Sequence, residues 1–489
     1  MEYKVKMLES CNSEDNPFIK LSSYFLTENN ITEKSKYSVF EIEARELITA
    51  ERIDLMAKWL YIDAKETGFG IDYAREIYTR HIAAFSNGKF REAGDDYKIS
   101  IQRYFEVFDN LILDIKNNGF NKEKSLIPIG DNNVILDGAH RCSIAAYYGK
   151  TVYVIKFEGL KRNYDYNYFL SNLLNMKYVK RMIYQYSLIT SRNLYCACFW
   201  PSSWDKEKQK QSLELMKIKG RIVYQENIKI NFRGLYNFIA QVYSDEIWVG
   251  DYSNKYIGAR AKAVDCYKRN APLKIVLFEY DSLMDVRLLK DKIRDIFLLG
   301  NNSIHTTDTN EETVKLVRLL LNNNSLHHLC YGVNDKYSNI NEIIKYIKKN
   351  INDYGSFILL EDATLAIYGI SDSKKYKYMG AMNLEKLIKC PIDYEILSNT
   401  DCFFYFNDIK FLCLNYVKWF KQKKSLCIIF KVVKFVLKNK LNDFKNWIWR
   451  KSRENNITID NIRHVILKTL IFLCQKIGVY KIIKKIKKD

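Results

Sequence analysis

The sequence predicts an α+β protein built from several domains. Three observations predict it. The chain is 489 residues long, which at ordinary domain sizes implies two to four cores. Its apolar residues switch repeatedly between helical spacing and short alternating or continuous runs. Its charge is also uneven. Of a net +20, residues 421–489 hold 16 Lys and 3 Arg against 3 Asp and 1 Glu, so the first 420 residues carry only +5. A basic tail follows a nearly balanced body. Hydrophobic residues make up 47% of the chain, enough for buried cores.

Residues 1–95 read as mostly helical. Apolar positions at helical spacing run from Tyr37 to Lys58 and on through Trp59-Leu60-Tyr61, and Glu76 to Ala84 repeat the pattern. Ile99 to Asn118 is strongly amphipathic through Phe105, Phe108, Leu111, Ile112 and Ile115, and Gly119 closes it. Val134 to Leu136 reads as a strand, Asp137-Gly138 as a break, and Ser143 to Tyr148 as a helix. A strand, a glycine turn and a helix start together make an anion site, because the first amides of a helix lack internal partners. Gly138 lets backbone approach a phosphate closely, and His140 and Arg141 could add donors. The plainer alternative is a strand-turn-helix with a capping Asp.

The segment Asp137-Gly138-Ala139-His140-Arg141, with Ala145 and the approach Ser125 to Gly130, resembles the nucleotide-binding box of the ParB/sulfiredoxin superfamily over about residues 95–160. The resemblance implies an α/β domain that binds ATP or CTP, with Mg²⁺, at Gly138, His140 and Arg141, and assigns Asp137 a catalytic role. With the helical N-terminus this unit spans 1–160. Thr151 to Phe157 reads as its last strand, and 161–192 as a helical connector.

Between 193 and 332 the order is strand (Leu194 to Phe199), helix (Glu207 to Lys219), strand (Arg221 to Ile230), helix (Gly234 to Tyr243), strand (Leu273 to Phe278), helix (Asp285 to Phe297), a short extended piece (Ser303 to His305) and helix (Asn310 to Asn322). That order suggests an α+β sandwich. Here Asn302-Ser303-Ile304-His305-Thr306-Thr307-Asp308-Thr309, with Ile293-Arg294 upstream, resembles the active-site segment of nucleoside diphosphate kinases. The resemblance implies a ferredoxin-like sandwich in which His305 takes up a phosphoryl group. Asn302, Arg287 and Arg294 would then contact phosphate, and Thr307 would orient the histidine's partner. The chain departs from that family at Trp200-Pro201-Ser202, where a lysine is missing, and at Leu316, where a glutamate is expected. The chemistry stands by itself, since neutral imidazole is a competent nucleophile near pH 7. The alternative is that His305 caps the following helix in a fold that has lost its chemistry.

Residues 333–425 open with Phe357 to Gly369, which resembles the start of a nucleotidyltransferase fold. Its metal site would fall in Ser373 to Met379, where lysines replace the carboxylates. Lysine supplies no oxygen to Mg²⁺, so this small α/β unit is expected to be degenerate. Asp401 to Leu414 gives two strands, or a strand and a helix. The tail, 426–489, pairs apolar faces with lysine edges and holds Trp447 and Trp449. This is the pattern of helices lying on an anionic membrane surface; the alternative is a helical domain that buries the same faces.

Other classes recede. Met1 to Lys6 lacks the apolar core of a signal peptide, and no charge-free run of 18 apolar residues occurs. The eleven cysteines form no C-x-x-C pair, and Cys196-x-Cys198 reads as two neighbouring strand positions. No metal ligand set is expected. A cytoplasmic protein is expected, peripheral at the inner membrane face. The order of units resembles that of bacterial capsule and lipopolysaccharide biosynthesis proteins. The expected function is therefore a nucleotide-dependent phosphotransferase acting on a sugar or sugar-lipid. A glycosyltransferase using a nucleotide-sugar and a non-enzymatic ParB-like nucleic-acid-binding protein are the alternatives. Nucleic acid is not expected as a partner, because the basic charge lies with Trp, Phe and Ile in the tail and no helix-turn-helix follows the box.

Overall fold

The computed structural model describes residues 16–92, 94–351 and 355–420. The tail expected at the membrane surface, 426–489, lies outside them. The described residues are a mixed α/β structure with three sheets, of three, four and five strands, in a compact unit that ends at Val417.

The first sheet is framed by α1 (Ser23–Glu28), β1 (Ser38–Glu43), α2 (Asp54–Thr67), α3 (Ile71–Phe85), α4 (Ile101–Asn118), β2 (Ile127–Ile129), α5 (Ala139–Tyr147) and β3 (Thr151–Lys156). Its order is β1-β3-β2, with β1 antiparallel and β2 parallel to β3. Three expectations are corrected here. Tyr37 to Lys58 is not one helical run. Ser38–Glu43 is a strand, in register from Ser38 opposite Lys156 to Glu43 opposite Thr151. Its Val-Phe-x-Ile residues fit either period, and pairing with a distant strand decided the outcome. Val134 to Leu136 is not a strand either. Ile135 alone makes a bridge, back to Ile129, and the strand that leads into the box is β2. Helix α5 then starts at Ala139 rather than Ser143, so His140 and Arg141 belong to its first turn. Helix α4 ends at Gly119 as expected, with φ at +77°. On α2, α3 and α4, Tyr61, Tyr78 and Phe108 stack with ring centres 5.3–5.5 Å apart, locking together three helices of which α2 and α4 pack against α5.

Helices α6 (Tyr166–Ser171) and α7 (Met176–Ile189) connect to the second sheet. It comprises β4 (Leu194–Phe199), α8 (Lys206–Lys219), β5 (Arg221–Ile228), α9 (Phe232–Val242), α10 (Ile257–Cys266), β6 (Leu273–Glu279), α11 (Leu283–Phe297), β7 (Ile304–Thr306) and α12 (Asn310–Leu320). The order is β5-β6-β4-β7, antiparallel throughout. Strand β4 is buried along its whole length, as expected for a continuous apolar run. Cys196 and Cys198 are neighbours on one face of it, with their Sγ atoms 3.9 Å apart. Ala197, Phe199, Val276 and Phe278 pack against Val286 and Ile293 of α11. Helices α9 and α10 form an insertion between the second and third strands.

The third sheet follows α13 (Asn323–Tyr331) and α14 (Ser338–Asn350). Its elements are β8 (Phe357–Leu359), α15 (Glu361–Ile367), β9 (Lys377–Gly380), β10 (Ile388–Lys389), α16 (Tyr394–Ser398), β11 (Phe403–Phe406), β12 (Ile409–Leu412) and α17 (Leu414–Phe420). The order is β10-β9-β8-β12-β11. Of the two readings left open for Asp401 to Leu414, the hairpin is the one adopted. It turns on Asn407 and Asp408, whose φ angles of +50° and +68° suit a tight two-residue connection. Among the described residues no helix is long and apolar enough to cross a membrane.

Candidate functional site

Gly138 precedes α5 with φ at +82° and no side chain caps the helix, so the first-turn amides stay open. Asp137 Oδ1 accepts the Gly138 amide at 2.6 Å. A Cβ on Gly138 would stand 2.9 Å from Arg141 Nη2, so the Arg141 guanidinium folds back across the glycine. Burial lowers the Arg141 pKa, with Asp137 opposing. His140 turns the other way. Its Nε2 shares a 2.8 Å hydrogen bond with the Tyr78 hydroxyl, and its ring lies 4.7 Å from that of Phe108. Burial, then Lys58, push the His140 pKa well below its ordinary value. Asp137, Gly138 and Arg141 are thus gathered at the helix start, whereas His140 is a neutral group committed to Tyr78.

Next to the box lies a buried ionic cluster that the sequence reading missed. Arg52 grips Asp54 with two bonds of 2.8 and 3.0 Å, and its Nη1 donates to the Ile135 carbonyl. Lys58 Nζ donates to Asp54 at 2.9 Å and lies 3.2 Å from His81 Nε2. Burial alone would raise the Asp54 carboxyl, but Arg52 and Lys58 outweigh it and hold the group far below the usual range. Burial, then Lys58, bring His81 down to about 3. One carboxylate thus faces two cations, leaving an excess of positive charge beside the box. The i,i+4 pair Asp54/Lys58 was the available signal.

The second gathering surrounds His305. On β7 it stands opposite Cys198 of β4 and opens into a cleft of about 840 Å³. Its Nδ1 lies 3.0 Å from the Tyr243 hydroxyl at the end of α9. Trp200, fully buried, packs behind the ring with its centre 6.2 Å away. Burial, then Lys290, lower the His305 pKa to about 3, so the imidazole is neutral at physiological pH. Nε2 has no hydrogen bond among the described residues.

Arg294 lines the same cleft. One of its Nη atoms sits 3.3 Å from Asp291, and its buried Nε has no partner. Lys290, one helical turn before it, also lines the cleft and is half-buried, without an ion pair among the described residues. Burial lowers its pKa. Asn302 is tied to Lys262 through a 2.6 Å bond from Nζ to Oδ1. Arg287 is not part of the lining; it is 57% exposed and paired with Asp308 at 2.9 Å. Thr307 is fully buried. Its hydroxyl accepts from the Cys196 amide at 2.8 Å and meets Thr313 Oγ1 at 2.8 Å, bonds that run to β4 and α12 rather than to His305. The group in contact with the imidazole is Tyr243.

His305 does not cap α12. That end is held by the Thr309 side chain, which accepts from the Glu312 amide at 3.1 Å, while Glu312 reaches back to the Asp308 amide at 2.7 Å. Lys290 was legible as a position four before Arg294. Tyr243 was not, because only the fold brings the α9 insertion to β7. In the third unit Lys377 opens β9 and Lys374 and Lys375 precede it.

Compared with protein-family models, curated proteins and solved structures, the chain matches none.

Proposed function

We propose that the protein is a nucleotide-dependent phosphotransferase whose transfer centre is the His305 cleft. The observation that carries this reading is a neutral histidine with one ring nitrogen committed to Tyr243, the other unbonded, and Lys290 and Arg294 beside it. In the transfer step the Nε2 lone pair forms a bond to the terminal phosphorus of the nucleotide. The bond to the bridging oxygen breaks, and its electron pair leaves on the nucleoside diphosphate. Lys290 and Arg294 offset charge on the phosphoryl oxygens. The Tyr243 oxygen accepts Nδ1–H, which fixes the tautomer with its lone pair on Nε2. Mg²⁺ enters with the nucleotide as part of the substrate.

The strand order 2-3-1-4, with helices after the first and third strands, supports a ferredoxin-like sandwich of the nucleoside diphosphate kinase type. Open amides at α5 and the positive excess beside them support an ATP or CTP site at Gly138 and Arg141. The order of units along the sequence supports a sugar or sugar-lipid acceptor, and the basic tail supports work at an anionic membrane surface.

The test uses the full chain with γ-labelled ATP or CTP and Mg²⁺. Acid-labile, base-stable label on the protein that is lost in His305→Ala is expected. Its absence in the native protein, with nucleotide still bound and binding lost in Arg141→Ala, would move the working site to the glycine box.

A further inference from the structure

A second, much smaller cavity of about 20 Å³ lies between α7, α12 and β11. Four cations line it, Lys177, Lys180, Arg181 and Arg318, and no carboxylate does. The two lysines are neutralised behind the wall, at 2.9 Å from Asp401 and 2.9 Å from Glu226. The two arginines are not. Arg181 donates to Gln185 Oε1 at 3.0 Å, and its buried Nε has no partner. Arg318 donates from Nε to the Tyr184 hydroxyl at 3.1 Å. Each guanidinium sits over a tyrosine ring, Arg181 over Tyr184 at 5.3 Å and Arg318 over Tyr405 at 5.4 Å. Among the described residues neither has an ion pair.

Cations held together in a low-dielectric wall without a counter-charge are unfavourable. Aromatic faces offset only part of that cost. Guanidinium groups with fixed planes and spare N–H donors match an oxyanion. We propose that this cavity, together with the hollow of about 160 Å³ that shares Arg181, Tyr184, Thr400 and Tyr405 with it, is a binding site for a phosphate oxyanion, either inorganic phosphate or the phosphoryl group of a small phosphomonoester. By itself the smaller cavity holds little more than a water, so the oxyanion sits in the larger hollow and meets Arg181 from there. The site is independent of the His305 reading, although Arg318 also lines that cleft.

The test is thermal unfolding of the full chain in phosphate-free buffer, then with inorganic phosphate or glycerol 2-phosphate, against sodium chloride at matched ionic strength. Wild type, Arg181→Gln and Arg294→Gln are compared, the last removing a cation of the His305 cleft. Without phosphate, Arg181→Gln is expected to melt at or above wild type, since one of the two guanidinium charges without a carboxylate partner is gone. Phosphate is expected to raise the midpoint of wild type and Arg294→Gln saturably. Arg181→Gln should need at least about tenfold more phosphate for the same shift. A stronger response to glycerol 2-phosphate than to phosphate identifies a phosphomonoester; an equal response identifies the free ion. If Arg181→Gln does not fold, Lys177→Gln is expected to weaken the response several-fold. The proposal is overturned if Arg181→Gln melts below wild type in every buffer with an unchanged phosphate response, which makes Arg181 a packing residue. It is also overturned if the response is lost in Arg294→Gln instead, or if neither oxyanion shifts wild type.

Discussion

Tyr243 and His305 meet with hydroxyl and Nδ1 3.0 Å apart, so one nitrogen of the imidazole is committed before any substrate arrives. Tyr243→Phe removes that contact and keeps the ring against Trp248, 5.2 Å away in the native protein. Labelling of His305 from γ-labelled nucleotide is expected to slow about tenfold, the worth of one buried hydrogen bond. Rapid-quench labelling checks this, and an unchanged rate would remove Tyr243 from the mechanism.

Among the described residues Lys290 is half-buried and has no ion pair, a combination that costs stability unless a bound anion offsets it. Lys290→Met is expected to raise the melting temperature while slowing labelling by about tenfold or more. Opposite signs in the two measurements mark a functional cation; a fall in both would mark a structural one.

Among the described residues Asp54 is the sole carboxylate bonded to Arg52 and Lys58. Asp54→Asn leaves two buried cations uncompensated and is expected to destabilise the protein by about 3–5 kcal/mol. Lys58→Met in the same background should restore part of the loss. Urea unfolding of the single and double variants measures both effects.

Gly138→Ala is expected to cost about 1–2 kcal/mol, because the position has positive φ, and to weaken nucleotide binding by displacing Arg141. Arg141→Ala in addition removes the clash but not the backbone strain. Stability should therefore recover only partly while nucleotide affinity falls further, as equilibrium dialysis would show.

The stability of the chain is expected to fall steeply in mild acid. His81, His305 and His328 have pKa values lowered to about 3, each chiefly by burial, and His140 is also well below its ordinary value. A buried neutral histidine stays unprotonated when folded but takes up a proton when unfolded, at about pH 6.5. The unfolded state therefore binds more protons between about pH 6.5 and 3, and stability is lost as pH falls through that window. Asp54 adds its own loss lower, below its unfolded value near 3.8. Urea midpoints from pH 7 to pH 4 should decline, and less so in a His328→Phe variant.

Much of this arrangement was legible because single elements announce themselves. Leu194–Phe199 is six residues of unbroken apolar character and reads as a buried strand from sequence alone. Ile99 to Asn118 shows its helical face and its Gly119 stop, and the helix runs from Ile101 to Asn118. His305 stood out by its neighbours in sequence, and the fold places it in a cleft with Arg294. What stayed hidden was set by pairing between distant segments. Ser38–Glu43 became a strand because β3 is there to receive it. Thr307 bonds to Cys196 and Thr313, and the contact with His305 comes from Tyr243, carried by an insertion whose docking no local pattern encodes. The Arg181/Arg318 pair joins α7 to α12, 134 residues apart at the bond from Arg318 to Tyr184.

Strand β3 holds the middle of the first sheet, with β1 on one side and β2 on the other. Glu41 and Thr151, which bond across the β1–β3 pair, are 110 residues apart. During synthesis on the ribosome, the first strand therefore emerges long before its partner exists. Loop closure over that span slows the final pairing. Until Lys156 has cleared the exit tunnel, Val39, Phe40 and Ile42 have no strand to pair with, and a chaperone that recognises extended apolar segments would find a target at Ser38–Glu43.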